Sequence, residues 1–251
     1  MPIKIYNSQD FIGLRKAGKL AARTLDYIAE FVVEGVSTLK LNDLCDEFIV
    51  ANGGLSACIG YNGFPKSVCI SVNHVVCHGI PSAKKILANG DIVNIDVTAI
   101  VDGYYGDTSR MFYVGTPGIK ARKLCEVARE ALNLGIEQVK PGNHLGDIGY
   151  AIQNFAEKQG FSVVRDYCGH GTGKVFHDDP QVCHFGKKGT GELIREGMVF
   201  TIEPMINAGD YKIIVNKLDG WTVTTRDKSL SAQFEHTLGV ISGGSEVFTV
   251  S

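Results

Sequence analysis

Five residues spread through the chain have the right chemistry to work together in hydrolysis: Asp96, Asp107, His170, Glu203 and Glu235. The first two lie in the stretch DIVNIDVTAIVDGYYGDTSRMFYV, 91–114. Its two apolar, β-branched-rich runs flank Asp102-Gly103, the signature of a two-residue hairpin turn. That turn sets Thr98 opposite Asp107 and makes Asp96 the diagonal neighbour of Asp107 on the same face. Diagonal Cβ atoms lie about 7–8 Å apart or somewhat less, so both carboxylates can reach one cation. Taken alone, the pair reads more simply as the solvated polar face of a hairpin. The flanking residues, however, are too apolar for open water, and like charges held that close repel unless a proton or a cation neutralises them.

The other three add to this. Gly169-His170-Gly171-Thr172-Gly173 clears side chains from around one imidazole, as close approach to a ligand or metal would require. Glu235, in SLSAQFEHTLGV, alternates with apolar neighbours on a predicted strand and is expected to be buried on one side. A buried glutamate is costly unless paired or coordinated. Four carboxylates and one imidazole, without a thiolate, suit Mn, Fe(II) or Co more than a structural zinc, and also admit Zn or Ni as a catalytic ion. Such a set over-neutralises one divalent ion. Two ions balance it, held about 3.5–4 Å apart by bridging carboxylates.

These residues need elements to position them. Ser8 is a plausible N-cap for a helix reaching about Val33, with Ile12, Leu20, Leu25, Ile28 and Phe31 as its apolar positions. A second helix, roughly Leu39 to Asn52, ends at Gly53-Gly54. Short strands SACIGY and SVCISV follow, then the hairpin. Pro117 opens a third helix to about Val139, and a fourth runs near Leu145 to Gln159. The order repeats. Adding 107 to a position carries Arg15 onto Arg122, Gly35 onto Gly142, Phe48 onto Phe155 and Gly53 onto Gly160. The same offset carries Asp96 onto Glu203. Two copies are too few for a solenoid, so the halves, roughly 8–114 and 115–251, are expected to face each other about a pseudo-twofold axis, with both carboxylates aimed at the seam. The fold class expected is α+β: two pseudo-twofold-related helix–helix–strand halves in one domain, 1–251.

Composition limits the function classes. A chain of 251 residues with formal charge −2 has no dense basic block, which argues against nonspecific nucleic-acid binding. Seven cysteines, none in a C-x-x-C, read as small apolar groups of a reduced, cytoplasmic protein. MPIKIYNSQD has no apolar signal core, and no run approaches a membrane span. GHGTGK is not a phosphate loop, because Cys168 and Val175 stand where Gly and Ser or Thr are needed.

Read together, CHGIP (77–81), NIDV (94–97), GDTSRMF (106–112), GHGTGKVFH (169–177), FTIEP (200–204) and SAQFEHT (231–237) resemble the methionine aminopeptidases of the creatinase/aminopeptidase "pita-bread" fold. The similarity runs nearly end to end, looks like the short, bacterial-type type I enzymes, and implies that the two halves form a curved, mainly antiparallel sheet covered by helices in one catalytic domain, 1–251. It implies removal of the initiator methionine from nascent chains whose second residue is small. It also implies two metals, with Asp96 on one ion, Asp107 and Glu235 bridging, and His170 and Glu203 on the other. Glu203 would shuttle the proton, His78 would contact the scissile amide, and His177 would hydrogen-bond its carbonyl. Cys58, Tyr61, Phe64, Cys69, Phe176 and Trp221 match the pocket for the methionine side chain, and thiols with aromatics suit a thioether. Asn62 and Phe64 stand where some relatives have His and Tyr. His74, His144, His184 and His236 read as ordinary core or surface residues. The resemblance further implies a monomer working near the ribosome. Two other readings stay open: a prolidase or Pro-aminopeptidase of the same fold, and a non-catalytic binding module.

Overall fold

The computed structural model describes residues 2–251. Helix α1 (Ser8–Ala29) is capped by Asn7 rather than Ser8: the Asn7 Oδ1 accepts the Gln9 and Asp10 amides at 2.8 and 3.1 Å, and Asp10 returns a bond to the Asn7 amide. An Asx cap of this kind satisfies amides that have no intrahelical partner. The helix stops short of the expected Val33 because the Phe31 N–H reaches back to Ile28 and closes the last turn. Its buried stripe runs through Phe11, Leu14, Leu25 and Ile28, and Ile12 points to solvent. Helices α2 (Thr38–Ala51), α3 (Ile119–Glu137) and α4 (Leu145–Lys158) lie close to the expected spans.

The first half carries β1 (Leu55–Ser56), β2 (Cys69–Val72), β3 (Val75–Cys77), β4 (Ile92–Val101) and β5 (Tyr104–Tyr113). The second carries β6 (Ser162–Val163), β7 (Gly169–Gly171), β8 (Asp178–Val182), β9 (Val199–Ile202) and β10 (Met205–Asn207). It continues with β11 (Ile213–Val215), β12 (Val223–Thr225), β13 (Ser231–Gln233), β14 (Glu235–Ile241) and β15 (Gly244–Val247). Nine strands form one antiparallel sheet along the path β1-β4-β5-β14-β9-β7-β8, with β2 added on β4 and β15 on β14. Two three-stranded sheets, β13-β10-β6 and β11-β12-β3, complete the fold. Of SACIGY only Ser56 is in a strand. The chain turns instead through Gly60 and Asn62, both with positive φ.

The hairpin has the expected register. Asp102 (φ 52°) and Gly103 (φ 79°) both take the left-handed conformation that a two-residue I′ turn requires. Thr98 pairs with Asp107 and Asp96 with Ser109, so the two aspartates are diagonal neighbours. Val93, Ile95, Val97 and Ala99 turn toward α1 and α2, leaving Asn94, Asp96 and Thr98 on the other face.

Several backbone contacts recur at the same offset. The bridge Ser37–Ile86 recurs as His144–Leu193, both partners shifted by 107. The bond from the Gly35 amide to Leu87 recurs from Gly142 to Ile194. The Gly90 amide bonds to Val114 after β5, and the Gly197 amide bonds to Val240 on β14, so β14 holds in the second half the place that β5 holds in the first. Each half has its own apolar core, around Leu25, Leu41 and Ile95 in one and Leu132, Ile148 and Phe200 in the other. The helices of each half cover one face of the sheet, and the functional residues gather on the opposite face, at the seam.

Backbone contact between α1 and β5 sets how closely the first helix layer sits. A Cβ added at Gly106 would press on the Ala17 carbonyl and the Gly18 amide. Gly106→Ala is therefore expected to destabilise the protein by about 1–3 kcal/mol through overpacking, read as a lower Tm. An unchanged Tm would show that the helix is free to lift.

Candidate metal centre and active site

The sheet brings the five candidate ligands to one place. Asp96 and Asp107 come from the hairpin, and Glu235 begins β14 opposite Ser109. His170 is the middle residue of β7, and Glu203 directly follows β9. Ligand atoms of Asp107, His170 and Glu235 all lie within 4.8 Å of one another. The His170 Nε2 is 3.5 Å from the Asp107 Oδ2 and 3.6 Å from the Glu203 Oε1. The His170 Nδ1 lies 3.0 Å from the Gly171 carbonyl and donates to it, which turns the Nε2 lone pair toward the carboxylates.

Residues that pattern reading passed over aim these groups. The Thr98 Oγ1 donates to the Asp107 Oδ1 at 2.7 Å, a contact implicit in the hairpin register. The Thr201 Oγ1 donates to the Glu203 Oε1 at 3.0 Å, and the Gln233 Nε2 donates to its Oε2 at 3.2 Å. No sequence spacing marks Gln233, whose strand is placed only by the fold. The glycines around His170 have a different reason from the one expected. A Cβ at Gly169 would meet the Thr201 carbonyl, one at Gly171 the Asp179 carbonyl, and one at Gly173 the Tyr6 ring. Gly169 and Gly171 allow close backbone packing and Gly173 leaves room for the Tyr6 ring, rather than for ligand approach.

The electrostatics ask for a cation. Burial raises the Asp96 and Glu235 carboxyls well above the usual range, and neighbouring carboxylates, Asp107 foremost, raise them further. Burial raises Glu203 to about 7, although His170 pulls it down. Burial works against a charged His170, but Asp107 and Glu203 outweigh it and raise its pKa. The Asp96 Oδ1 is buried without a hydrogen-bond partner. A hydrogen bond to a charged group returns about 1.5–3 kcal/mol, whereas desolvating an ion costs several kcal/mol. Hydrogen bonds alone do not balance so many buried carboxylates. Divalent cations do, and an oxygen-rich set with one imidazole fits them.

The same cavity, about 620 Å³, holds every other candidate. Cys58, Phe64, Cys69 and Phe176 form a buried apolar wall against which Tyr61 and Trp221 pack. Tyr61 and Phe176 rings lie 4.8 Å apart, and Phe64 and Trp221 rings 5.2 Å apart. His177 stands beside His170, ring centres 4.1 Å apart. His78 lies edge-on to Trp221 and Tyr167, with a left-handed backbone (φ 55°) that costs a β-carbon-bearing residue about 1–3 kcal/mol. Burial lowers both histidines to about 4, helped at His177 by the nearby His170, so both are neutral at physiological pH. His74, His144 and His236 lie outside the cavity, and the His236 Nδ1 meets Thr249 on the other face of β14. His184 is also outside it, but is not ordinary: its Nε2 accepts the Glu203 amide at 3.1 Å.

Asp107→Asn removes the charge at the centre of this set. Mn(II) affinity measured by titration calorimetry on chelator-treated protein is expected to fall at least tenfold, and metal should raise the Tm less than the rise expected for the unaltered chain. Equal affinity in the two proteins would sink the assignment of Asp107 as a ligand.

Comparison with known proteins agrees with this geometry. Residues 13–242 match metallopeptidase family M24. The chain is 62% identical over 251 residues to a methionine aminopeptidase of Rickettsia prowazekii, covering 100% of this chain and 96% of that one. The crystal structure of methionine aminopeptidase from Rickettsia prowazekii superposes with a TM-score of 0.98, covering 99% of this chain and 100% of that one. A prolidase from Pyrococcus furiosus shares the fold, with a TM-score of 0.79 at 22% identity, this chain covering 65% of its length. On these matches the chain belongs to metallopeptidase family M24, within its group of bacterial methionine aminopeptidases, and has the pita-bread fold.

Proposed function

We propose that the chain is a methionine aminopeptidase that releases the N-terminal methionine of peptides whose second residue is small. One observation carries this reading: a single cavity is lined both by a thiol-and-aromatic wall and by the carboxylate–imidazole set. A thioether side chain fits the wall, and the peptide bond that follows it then lies within reach of the acids.

Asp96, Asp107, His170, Glu203 and Glu235 would hold two divalent ions, of which Mn, Fe(II) and Co suit the donors, with Zn or Ni admitted. When bound, such ions polarise the scissile carbonyl and make water nucleophilic at neutral pH. Glu203 would take a proton from that water and return one to the leaving amine. His177, neutral, donates an N–H to the carbonyl oxygen as charge develops there. His78, neutral and lying edge-on to Tyr167 and Trp221, would contact the scissile amide nitrogen and help the amine depart. Cys58, Tyr61, Phe64, Cys69, Phe176 and Trp221 bind the methionine side chain and exclude water from it. We take residues 1–251 as one catalytic domain repeating over roughly 8–114 and 115–251, and its substrates as nascent chains met in the cytoplasm near the ribosome by a monomer. Among the described residues, no helix is long and apolar enough to cross a membrane.

Release of free methionine should be metal-dependent and seen with Met-Ala-Ser but not Met-Leu-Ser. Cleavage of an Xaa-Pro dipeptide in preference to both would move the reading to a prolidase, and tight binding of a macromolecule without any turnover would move it to a binding module. His78→Ala should keep its Mn(II) affinity and lose roughly 100-fold or more in kcat, the scale of a lost acid–base group. Weakened Mn(II) binding by that variant would place His78 among the ligands instead.

A further inference from the structure

We propose that His184 is a positioning residue for Glu203, anchoring its backbone from behind the cavity so that the carboxylate meets His170. The proposal rests on the reading of Glu203 as a metal ligand.

His184 follows β8 and is fully buried. Its Nε2 accepts the Glu203 N–H at 3.1 Å. A ring nitrogen that accepts has a free lone pair, so the imidazole is neutral and its proton sits on Nδ1. Glu203 needs such a partner for a topological reason. It is where the chain leaves β9, in the large sheet, for β10, in a three-stranded one. The pairing of β9 with β14 ends at Ile202 and His236, so no strand receives the next amide. Pro204 follows and has no N–H of its own. A buried amide at this crossing stays unpaired unless a side chain takes it.

The other polar atoms of Glu203 are also engaged. Gln233 donates to its carbonyl at 3.3 Å as well as to Oε2, and Thr201 donates to Oε1. Thr201 and Gln233 aim the carboxylate, whereas His184 sets the point from which it projects. With that anchor removed, the crossing can shift, and the 3.6 Å approach of Glu203 to His170 shifts with it.

A histidine that only filled space would be a poor choice here. Its Nδ1 is buried without a partner, a cost an apolar side chain of similar size would avoid. The bond at Nε2 is what offsets that cost.

The test uses His184→Leu and His184→Gln, with Mn(II) affinity of chelator-treated protein from calorimetry alongside kcat and KM on Met-Ala-Ser. The leucine variant is expected to lose roughly 10–100-fold in both Mn(II) affinity and kcat, with KM unchanged. Glutamine carries Oε1 at about the place of Nε2 and should recover most of both. In a Glu203→Gln background, His184→Leu should cost no further Mn(II) affinity, because its effect passes through Glu203. Wild-type affinity and kcat in the leucine variant would overturn the proposal. So would an equal loss of affinity in the Glu203→Gln background, the mark of a general structural role. If the leucine protein does not fold, glutamine against asparagine, which is too short to reach the amide, makes the same comparison, and equal behaviour of the two would overturn the proposal. Wild-type protein that binds Mn(II) yet releases no methionine would instead overturn the aminopeptidase reading, while the affinities still decide the role of His184.

Discussion

The rest of the molecule is arranged around a repulsion. Asp96, Asp107, Glu203 and Glu235 line one cavity with His170 between Asp107 and Glu203, and burial pushes three of these carboxyls upward. Desolvation and like charge both oppose this arrangement, so it persists only where the backbone over-determines it and where cations complete it. The over-determination is visible. The Asp107 amide and carbonyl are both tied to the Thr237 hydroxyl, at 3.1 and 2.7 Å, and the Thr108 hydroxyl bonds to the Glu235 carbonyl at 2.7 Å. Side chains that bond to neighbouring backbone hold the acidic strands together against the charge they carry.

The strand that makes this workable is β14. It pairs with β5 from the first half and β9 from the second, so the sheet is continuous across the seam. Asp96 and Glu203, equivalent positions in the repeat, then approach the same cavity from its two sides. The helices pack on the far face in two separate cores, one per half. Apolar stability and polar chemistry are thus kept on opposite faces of one sheet. Sheet alternation makes the separation possible, because neighbouring residues such as Ile95 and Asp96 serve different faces.

Within the cavity, burial has opposite consequences for the two kinds of group. It raises the acids, because a charged carboxylate loses its hydration there and stands among like charges that a cation would neutralise. It lowers His78 and His177, which keeps both as neutral donors beside a centre where an added positive charge would compete with the cations. One desolvated environment therefore sets both protonation patterns.

The sequence by itself determined what is local or periodic. The Asp102-Gly103 turn fixed the register that makes Asp96 and Asp107 neighbours, since a two-residue loop with two left-handed residues leaves no freedom to slip. Caps, apolar spacing and glycine or proline breakers placed the four helices to within a few residues. Motif resemblance supplied the wider set of site residues. Tertiary structure alone decided what depends on contacts distant in the chain. It showed that the glycines flanking His170 clear room for the Thr201 and Asp179 backbone. It made Thr201 and Gln233 partners of Glu203 and turned His184, one unremarkable histidine among several, into the acceptor for the Glu203 amide. No spacing encodes that last contact: it exists because the chain changes sheets at Glu203 and leaves an amide that β14 does not reach.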